Sequence, residues 1–428
     1  MNILIRGGHI LNPANNMDID ADVFISEGRI TDIGPGLSDE MAEEIIDATG
    51  CYVCPGLIDM HVHLREPGQT HKADISTESA AAARGGYTTI FAMPNTTPPV
   101  DSGDMIQFVE MRAKDTGLCS VHQVGAITEG MEGEAVSDME GMIEDGCIAF
   151  SEDGKSVMDS GLMKEAMLLA KKYGVTIMSH CEDINLVWDG VINAGKKSLE
   201  FGLPGITNTV ENVITARDLL LAEETGARLH LCHMSTKESC EYLEAAKKKG
   251  AQVSGEATPH HFTFSDGDIE SADDANFKMN PPLRSKKDVE AIRNAISVGT
   301  IEVISTDHAP HTEEEKAGGF LEAPFGIVGM ETAASISYSQ LVLGGYLTPM
   351  ELIARMSTNP ARITGIDAGD LSVGKAADIM IFDPKSEYEI HGADFAGAAR
   401  NMPYEGMKVT GRVVGTILGG KITYRYTG

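Results

Sequence analysis

Eight apolar runs recur between Cys51 and Pro310, and mostly helical segments separate them. The runs are CPGLIDMHVHL, YTTIFAMPN, LCSVHQVGAI, GCIAFSED, GVTIMSHCE, ARLHLCHMS, AQVSGEATPHH and IEVISTDHAP. Between them lie Ala-, Glu-, Lys- and Leu-rich stretches such as SGLMKEAMLLAKKYG and KESCEYLEAAKKKG. Short apolar runs alternating with helices predict parallel strands joined by helical crossovers. Eight such units predict an α/β protein of the TIM-like (β/α)8 barrel type. After the seventh run, FTFSDGDIESADDANFKMNPPLRS is long and poorly periodic, as expected of an elaborated loop.

The two ends of the chain have a different texture. Residues 1–54 and 365–428 read as short strands punctuated by Gly, Asn and Pro. VFISEGRITDIG near the start and VGTILGGKITYR near the end share a strand, a Gly-centred hairpin turn and a second strand. Two unrelated sets of strands would also satisfy this pattern. The reading preferred is one small β-sandwich domain built from both termini, with the barrel, residues 55–364, inserted between them.

Composition narrows the partners. The chain has 428 residues, enough for one α/β barrel with an appendage, and its 42% hydrophobic content supports a large core. A net charge of −30 repels nucleic acid and anionic membrane, so neither is expected as a partner. An anionic substrate would need a local nest of positive charge. MNILIRGGHILNP shows no signal-peptide pattern, and no apolar run is long enough to span a bilayer. Seven cysteines, an odd number scattered through apolar runs, suit buried thiols in a reducing cytoplasm. Cys51 and Cys54 form a CxxC with no second CxxC, which favours buried core over a metal or redox site.

The polar residues that end the runs carry the chemistry. The first run ends in His61, His63 and Arg65, the second in Asn95, and the fourth in Ser151, Glu152 and Asp153. The fifth ends in His180, the sixth in His233, and the eighth in Asp307 with His308 and His311 behind it. Residues two apart on a strand share a face, so His61 and His63 form a metal clamp, or else simply two polar residues at a strand end. Strand C-termini form the active site of this architecture, so six potential ligands would converge on one mouth. Imidazole with carboxylate suits zinc, with manganese, cobalt and iron also compatible. Six ligands exceed one hydrolytic ion that keeps a position open, and they suit two ions about 3.5–4 Å apart that activate a shared water. His61, His63 and Asp307 would hold one ion, His180 and His233 the other, and Asp153 is placed to bridge. His230 is out of phase with His233 and is expected to face the helices. His122 is expected to be structural. His260 and His261 end the seventh run, where one of them has room to enter the mouth, but the ligand set is complete without them.

The stretches DMHVHLREPGQTHKADI, FAMPNTTPPVDS, FKMNPPLRS, ISTDHAPHTEEEK and APFGIVGMET together resemble the dihydroorotases of the amidohydrolase superfamily. The resemblance covers nearly the whole chain, with its strongest motifs between Asp59 and Thr332. HxH with a late Asp marks only the superfamily; Arg65, and Asn95 within MPNT, narrow it. Allantoinases of similar look place an Asn where Arg65 stands, and hydantoinases lack this arginine. The resemblance implies that His61, His63, Asp153, His180, His233 and Asp307 hold zinc, two ions per chain. It adds Arg65, Asn95, Asn280 and His311 as substrate contacts, with the backbone at Phe325 and Gly326. Some relatives bridge their metals with a carboxylated lysine. Asp153 matches the bacterial branch that bridges with aspartate, although that branch usually carries Thr-Asp where this chain has Ser151 and Glu152. Lys155 lies beyond the strand end and is a poor bridge.

The implied reaction is the reversible cyclisation of N-carbamoyl-L-aspartate to L-dihydroorotate in de novo pyrimidine (UMP) synthesis. Asp307 would carry the proton to and from the ring nitrogen. Arg65 would grip the unreacting carboxylate in a two-pronged bond, helped by Asn95 and His311. An ion pair of Arg65 with Glu66 or Asp59 is the competing structural reading. The segment from His311 to Gly326, with its paired glycines, fits a mobile flap over the mouth or an ordinary surface loop. A homodimer is expected, with aspartate carbamoyltransferase as a further partner. The alternatives are another cyclic amidohydrolase, an allantoinase or hydantoinase, which Arg65 argues against, and a non-catalytic dihydroorotase-like partner of aspartate carbamoyltransferase, which would lack the metal ligands.

Overall fold

A computed structural model describes residues 1–427. The eight apolar runs form its centre. They give strands at Leu57–Val62, Tyr87–Ala92, Ser120–Gln123 with a continuation at Gly125–Ala126, Ala149–Ser151, Thr176–Ser179, Arg228–Leu231, Val253–Ala257 and Val303–Ile304. Consecutive strands pair in parallel. The third is interrupted at Val124, whose N–H still donates to Ala92 O at 2.9 Å. A parallel bridge between Val62 and His308, with His63 N–H donating to His308 O at 2.9 Å, joins the end of the eighth strand to the first.

The side-chain alternation explains this arrangement. Ile58, Met60, Phe91, Ala149, Met178, Cys232 and Val303 gather in one buried cluster inside the strands. Residues of opposite phase, such as Ile90, Phe150, Ile177, Leu229 and Leu231, pack against the helices. On the helix Ser160–Tyr173 the buried residues are Met163, Ala166, Met167 and Ala170, at helical spacing. Asp159, Thr236 and Ser285 cap the starts of Ser160–Tyr173, Lys237–Lys248 and Lys286–Val298 by accepting backbone N–H bonds.

Both termini contribute to one mixed eight-stranded sheet. Tyr52–Pro55, just before the first central strand, pairs antiparallel with Ile379–Glu389 from the other end of the chain. Ile3, Ile5, Ile10, Val23, Ile25, Ile379, Ile381 and Ile417 form the core of this unit. The two expected hairpins are present. Glu27 and Gly28 (φ 51° and 77°), like Gly419 and Gly420 (φ 52° and 75°), take the paired left-handed conformation that matches strand twist.

The stretch after the seventh strand holds the short helix Pro259–Thr263 and two single turns. The segment after the eighth strand folds into two short helices, Glu313–Lys316 and Gly319–Glu322. Phe320 buries itself there among Ile192, Leu203 and Ile269. Among the described residues no helix is long and apolar enough to cross a membrane.

Candidate active site

The strand ends bring the six predicted ligand residues together. Asp153 Oδ1 lies 3.2 Å from His61 Nε2, 3.3 Å from His180 Nδ1 and 3.5 Å from His233 Nε2, and its Oδ2 lies 3.4 Å from His63 Nε2. One carboxylate thus reaches all four imidazoles. Asp307 Oδ1 lies 3.0 Å from His63 Nε2 and 3.5 Å from His61 Nε2. His180 Nδ1 and His233 Nε2 are 2.9 Å apart. Asp153 and His180 arrive in the inward phase of their strands. His61 lies within a register shift between Asp59 and Val62 and His63 follows it, and His233 and Asp307 turn inward on positive φ angles of 31° and 49°.

The donor set fits a divalent cation. Six imidazoles and carboxylates converge while buried from water, and buried polar atoms normally find partners. Yet among the described residues His61 Nε2, Asp153 Oδ1 and His233 Nδ1 have no hydrogen-bond partner. The electrostatics favour positive charge at the same point. Burial works against a charged His61, but Asp153 and Asp307 outweigh it and raise the His61 pKa well above its usual value. Burial likewise opposes charge on His180, while its bonds to Asp153 and Glu182 bring it up to about 10. Burial would raise Asp153, yet His61, His180 and His233 hold it well below the usual carboxylate range.

Above this cluster opens a cleft of about 210 Å3, lined by His63, Asp153, His180, His233 and Asp307 together with Arg65, Asn95, Asn280, His311, Phe325 and Gly326. His61 lies beneath it, fully buried. Arg65 is only 7% exposed, and among the described residues no carboxylate lies within 4 Å of its guanidinium. Its Nε donates to Pro310 O at 3.1 Å, and its Nη2 lies 3.3 Å from His311 Nε2. The competing ion pairs are not formed. Glu66 pairs with Arg112 at 3.2 Å, and Asp59 accepts from Thr306 and the His61 N–H. Burial and then Arg65 push the His311 pKa down to about 3, so His311 stays neutral beside the arginine. Gly326, at φ 152°, must be glycine: a Cβ would meet His311 Cδ2 at 2.7 Å.

Asn95 and Asn280 do more than border the cleft. Asn95 Oδ1 lies 2.9 Å from His63 Nδ1, which aims the other ring nitrogen at Asp307. Asn280 donates to Glu182 Oε1 at 2.9 Å, and Glu182 Oε2 lies 3.4 Å from His180 Nε2. Glu182 therefore ties a predicted ligand residue to the loop after the seventh strand, and the sequence motifs did not single it out. Lys155 is exposed and donates to Met131 O at 3.2 Å, away from the cluster. His122 stacks on Phe91 at 5.0 Å, as a structural residue would. His261 is spent on Thr258 and the Pro281 carbonyl, whereas His260 is buried with both ring nitrogens unpartnered. The placement of His230 corrects the phase argument. It does not face the helices but lies fully buried inside, 3.0 Å from Glu256 Oε2. The regular strand ends at Leu231, so His233 is turned in by its backbone angle and the strand phase does not extend to it.

A family model described as Dihydro-orotase-like matches residues 50–239. A curated dihydroorotase of Pelotomaculum thermopropionicum is 46% identical, with 99% of this chain and 98% of that protein aligned. One from Citrifermentans bemidjiense is 43% identical over 99% of this chain and all of its own length. Among solved structures, a D-hydantoinase (dihydropyrimidinase) from Thermus sp. superimposes with a TM-score of 0.86 at 27% identity, covering 100% of this chain and 97% of that one.

Proposed function

Because the chain belongs to the dihydroorotase family, we infer that its cleft interconverts N-carbamoyl-L-aspartate and L-dihydroorotate, the ring-closing step of pyrimidine synthesis. It is a metal-dependent cyclic amidohydrolase. The observation that carries the substrate reading is Arg65. A buried guanidinium with no carboxylate within 4 Å among the described residues calls for an anion from outside, and it borders the cluster of predicted ligands. Dihydroorotate presents such a carboxylate on the ring carbon across the ring from the scissile nitrogen, and neutral hydantoins and dihydrouracil do not.

In this reading His61, His63 and Asp307 would hold one zinc, His180 and His233 would hold a second, and Asp153 would be within reach of both. When bound, zinc supplies Lewis acidity and lowers the pKa of water to roughly 7. The chain's own groups do the rest. Arg65 clamps the unreacting carboxylate, and Asn280, His311 and the main chain at Phe325 and Gly326 border the ring. Burial would raise Asp307, but His61 and His63 keep it ionised, ready to take a proton from the attacking water and pass it to the ring nitrogen during hydrolysis. In cyclisation Asp307 accepts that proton back. The same reading takes the central strands and helices as a TIM-like (β/α)8 barrel over residues 55–364. The terminal sheet is then a small β-sandwich domain over residues 1–54 and 365–428. It also takes the working enzyme as a cytoplasmic homodimer able to associate with aspartate carbamoyltransferase.

The structural similarity to hydantoinases keeps a second reading on the table, a neutral cyclic amidase. An assay on L-dihydroorotate, dihydrouracil and hydantoin, with metal counted in the same preparation, separates the two. Turnover preferring L-dihydroorotate is the expected result; a preference for the neutral rings would favour the second reading.

A further inference from the structure

His61 is held from beneath by a carboxylate that no sequence motif pointed to. Glu256, on the seventh strand, is fully buried. Its Oε1 lies 2.9 Å from His61 Nδ1 and accepts the backbone N–H of His233 at 3.3 Å. Its Oε2 lies 3.0 Å from His230 Nε2, and His230 Nδ1 lies 2.8 Å from Ser254 Oγ. The chain of bonds from Ser254 through His230 to Glu256 therefore ends on two of the six converging residues, one from each proposed ligand set.

Chemistry gives this contact a consequence. An imidazole that donates through Nδ1 to a carboxylate keeps the lone pair of Nε2 free, and here Nε2 faces Asp153 and Asp307. Regular strand geometry places neither His61 nor His233. The first lies within a register shift, and the second carries a φ of 31°, a strained angle for a residue other than glycine. Both need a fixed point, and Glu256 is bonded to both. We propose that Glu256, braced by His230, is a positioning residue that sets His61 and His233 for metal binding. The proposal rests on the metal-dependent reading above.

The test starts from zinc-loaded full-length protein with its metal counted. Glu256→Gln keeps the shape and one acceptor oxygen but removes the charge; Glu256→Ala removes all of it. Zinc affinity is measured by chelator competition, ligand geometry by the visible spectrum of the cobalt-substituted protein, and integrity by the unfolding temperature in chelator. Outer carboxylates of this kind typically change metal affinity about 10–100-fold. A loss of about tenfold is expected for Gln and about 100-fold for Ala, with an altered cobalt spectrum in both. The chelated Gln variant should unfold near the wild-type temperature. Wild-type zinc affinity and cobalt spectrum in the Gln variant would overturn the proposal. So would a Gln variant that fails to fold, since Glu256 would then serve the core. If Ala does not fold, Gln decides alone. A wild-type protein that binds zinc but does not turn over L-dihydroorotate would defeat the substrate reading and leave the Glu256 result standing.

Discussion

Asp153 is one carboxylate within reach of four imidazoles, and that geometry makes it the residue whose loss should be felt most. Asp153→Ala is expected to lower bound metal and remove most turnover. Lys155→Ala should cost little, because Lys155 is exposed and bonded to the Met131 carbonyl. A metal titration with kinetics on both variants checks the pair; a carboxylated Lys155 found between the metals would reverse the assignment. His180→Ala and His233→Ala should each lower metal content and abolish turnover, and full activity with half the metal would sink the two-ion mechanism. At this scale the sequence was informative wherever a predicted ligand keeps its strand's phase. Asp153 and His180 do so, and counting along the strand finds them. His233 and Asp307 depend on positive φ angles that no alternation rule foresees, and the same kink misplaced His230. Glu256 left one trace, an acidic residue inside the apolar run AQVSGEATPHH.

The segment after the eighth strand shows how elements hold the site. Its polar sequence fitted both a flap and a plain loop, because the tertiary contacts that anchor it come from distant residues. Lys316 is buried, and its ammonium donates to the carbonyls of Pro324 at 3.0 Å and Gly326 at 2.9 Å. Lys316→Met should destabilise the fold by about 1–3 kcal/mol, the usual cost of a buried polar group left unpaired. Denaturant unfolding reads this directly. Glu315 caps the first short helix and lies 3.0 Å from His311 Nδ1. Burial would raise its pKa, but the bonds from His311 and the Thr312 N–H outweigh it and bring it to about 2 from a usual 4.5. A depressed carboxylate contributes stability that is present above the unfolded value and fades as pH falls toward the folded one. Hydrogen-exchange protection of Glu313–Glu322 should therefore decline between about pH 4.5 and 2. Glu315→Gln should flatten that decline, and an unchanged profile would show that the segment is held without it.

Taken whole, the molecule joins an acidic chain, net −30, to a small buried nest of positive charge around Arg65. The alternation of strand and helix was legible in the sequence because burial imposes a period on it. The union of both termini in one sheet was legible only through the likeness of their hairpins, since no local pattern records a pairing such as Tyr52–Pro55 with Ile379–Glu389. Metal ties the scales together. A ligand at 100 times its Kd contributes about 2.7 kcal/mol, so chelation should lower the unfolding temperature, and zinc should restore it. The central claim, that this cleft is built for a carboxylate-bearing ring, is tested most directly by the kcat/KM of Arg65→Met and wild-type protein at matched metal content, on L-dihydroorotate and on dihydrouracil. Losing a charge-assisted hydrogen bond costs about 1.5–3 kcal/mol, so kcat/KM for dihydroorotate should fall at least ~10–100-fold, with metal content unchanged. Activity on dihydrouracil should start low and fall far less. An equal loss on both substrates would contradict the account, because Arg65 would then serve the fold or the metal site, not the substrate's carboxylate.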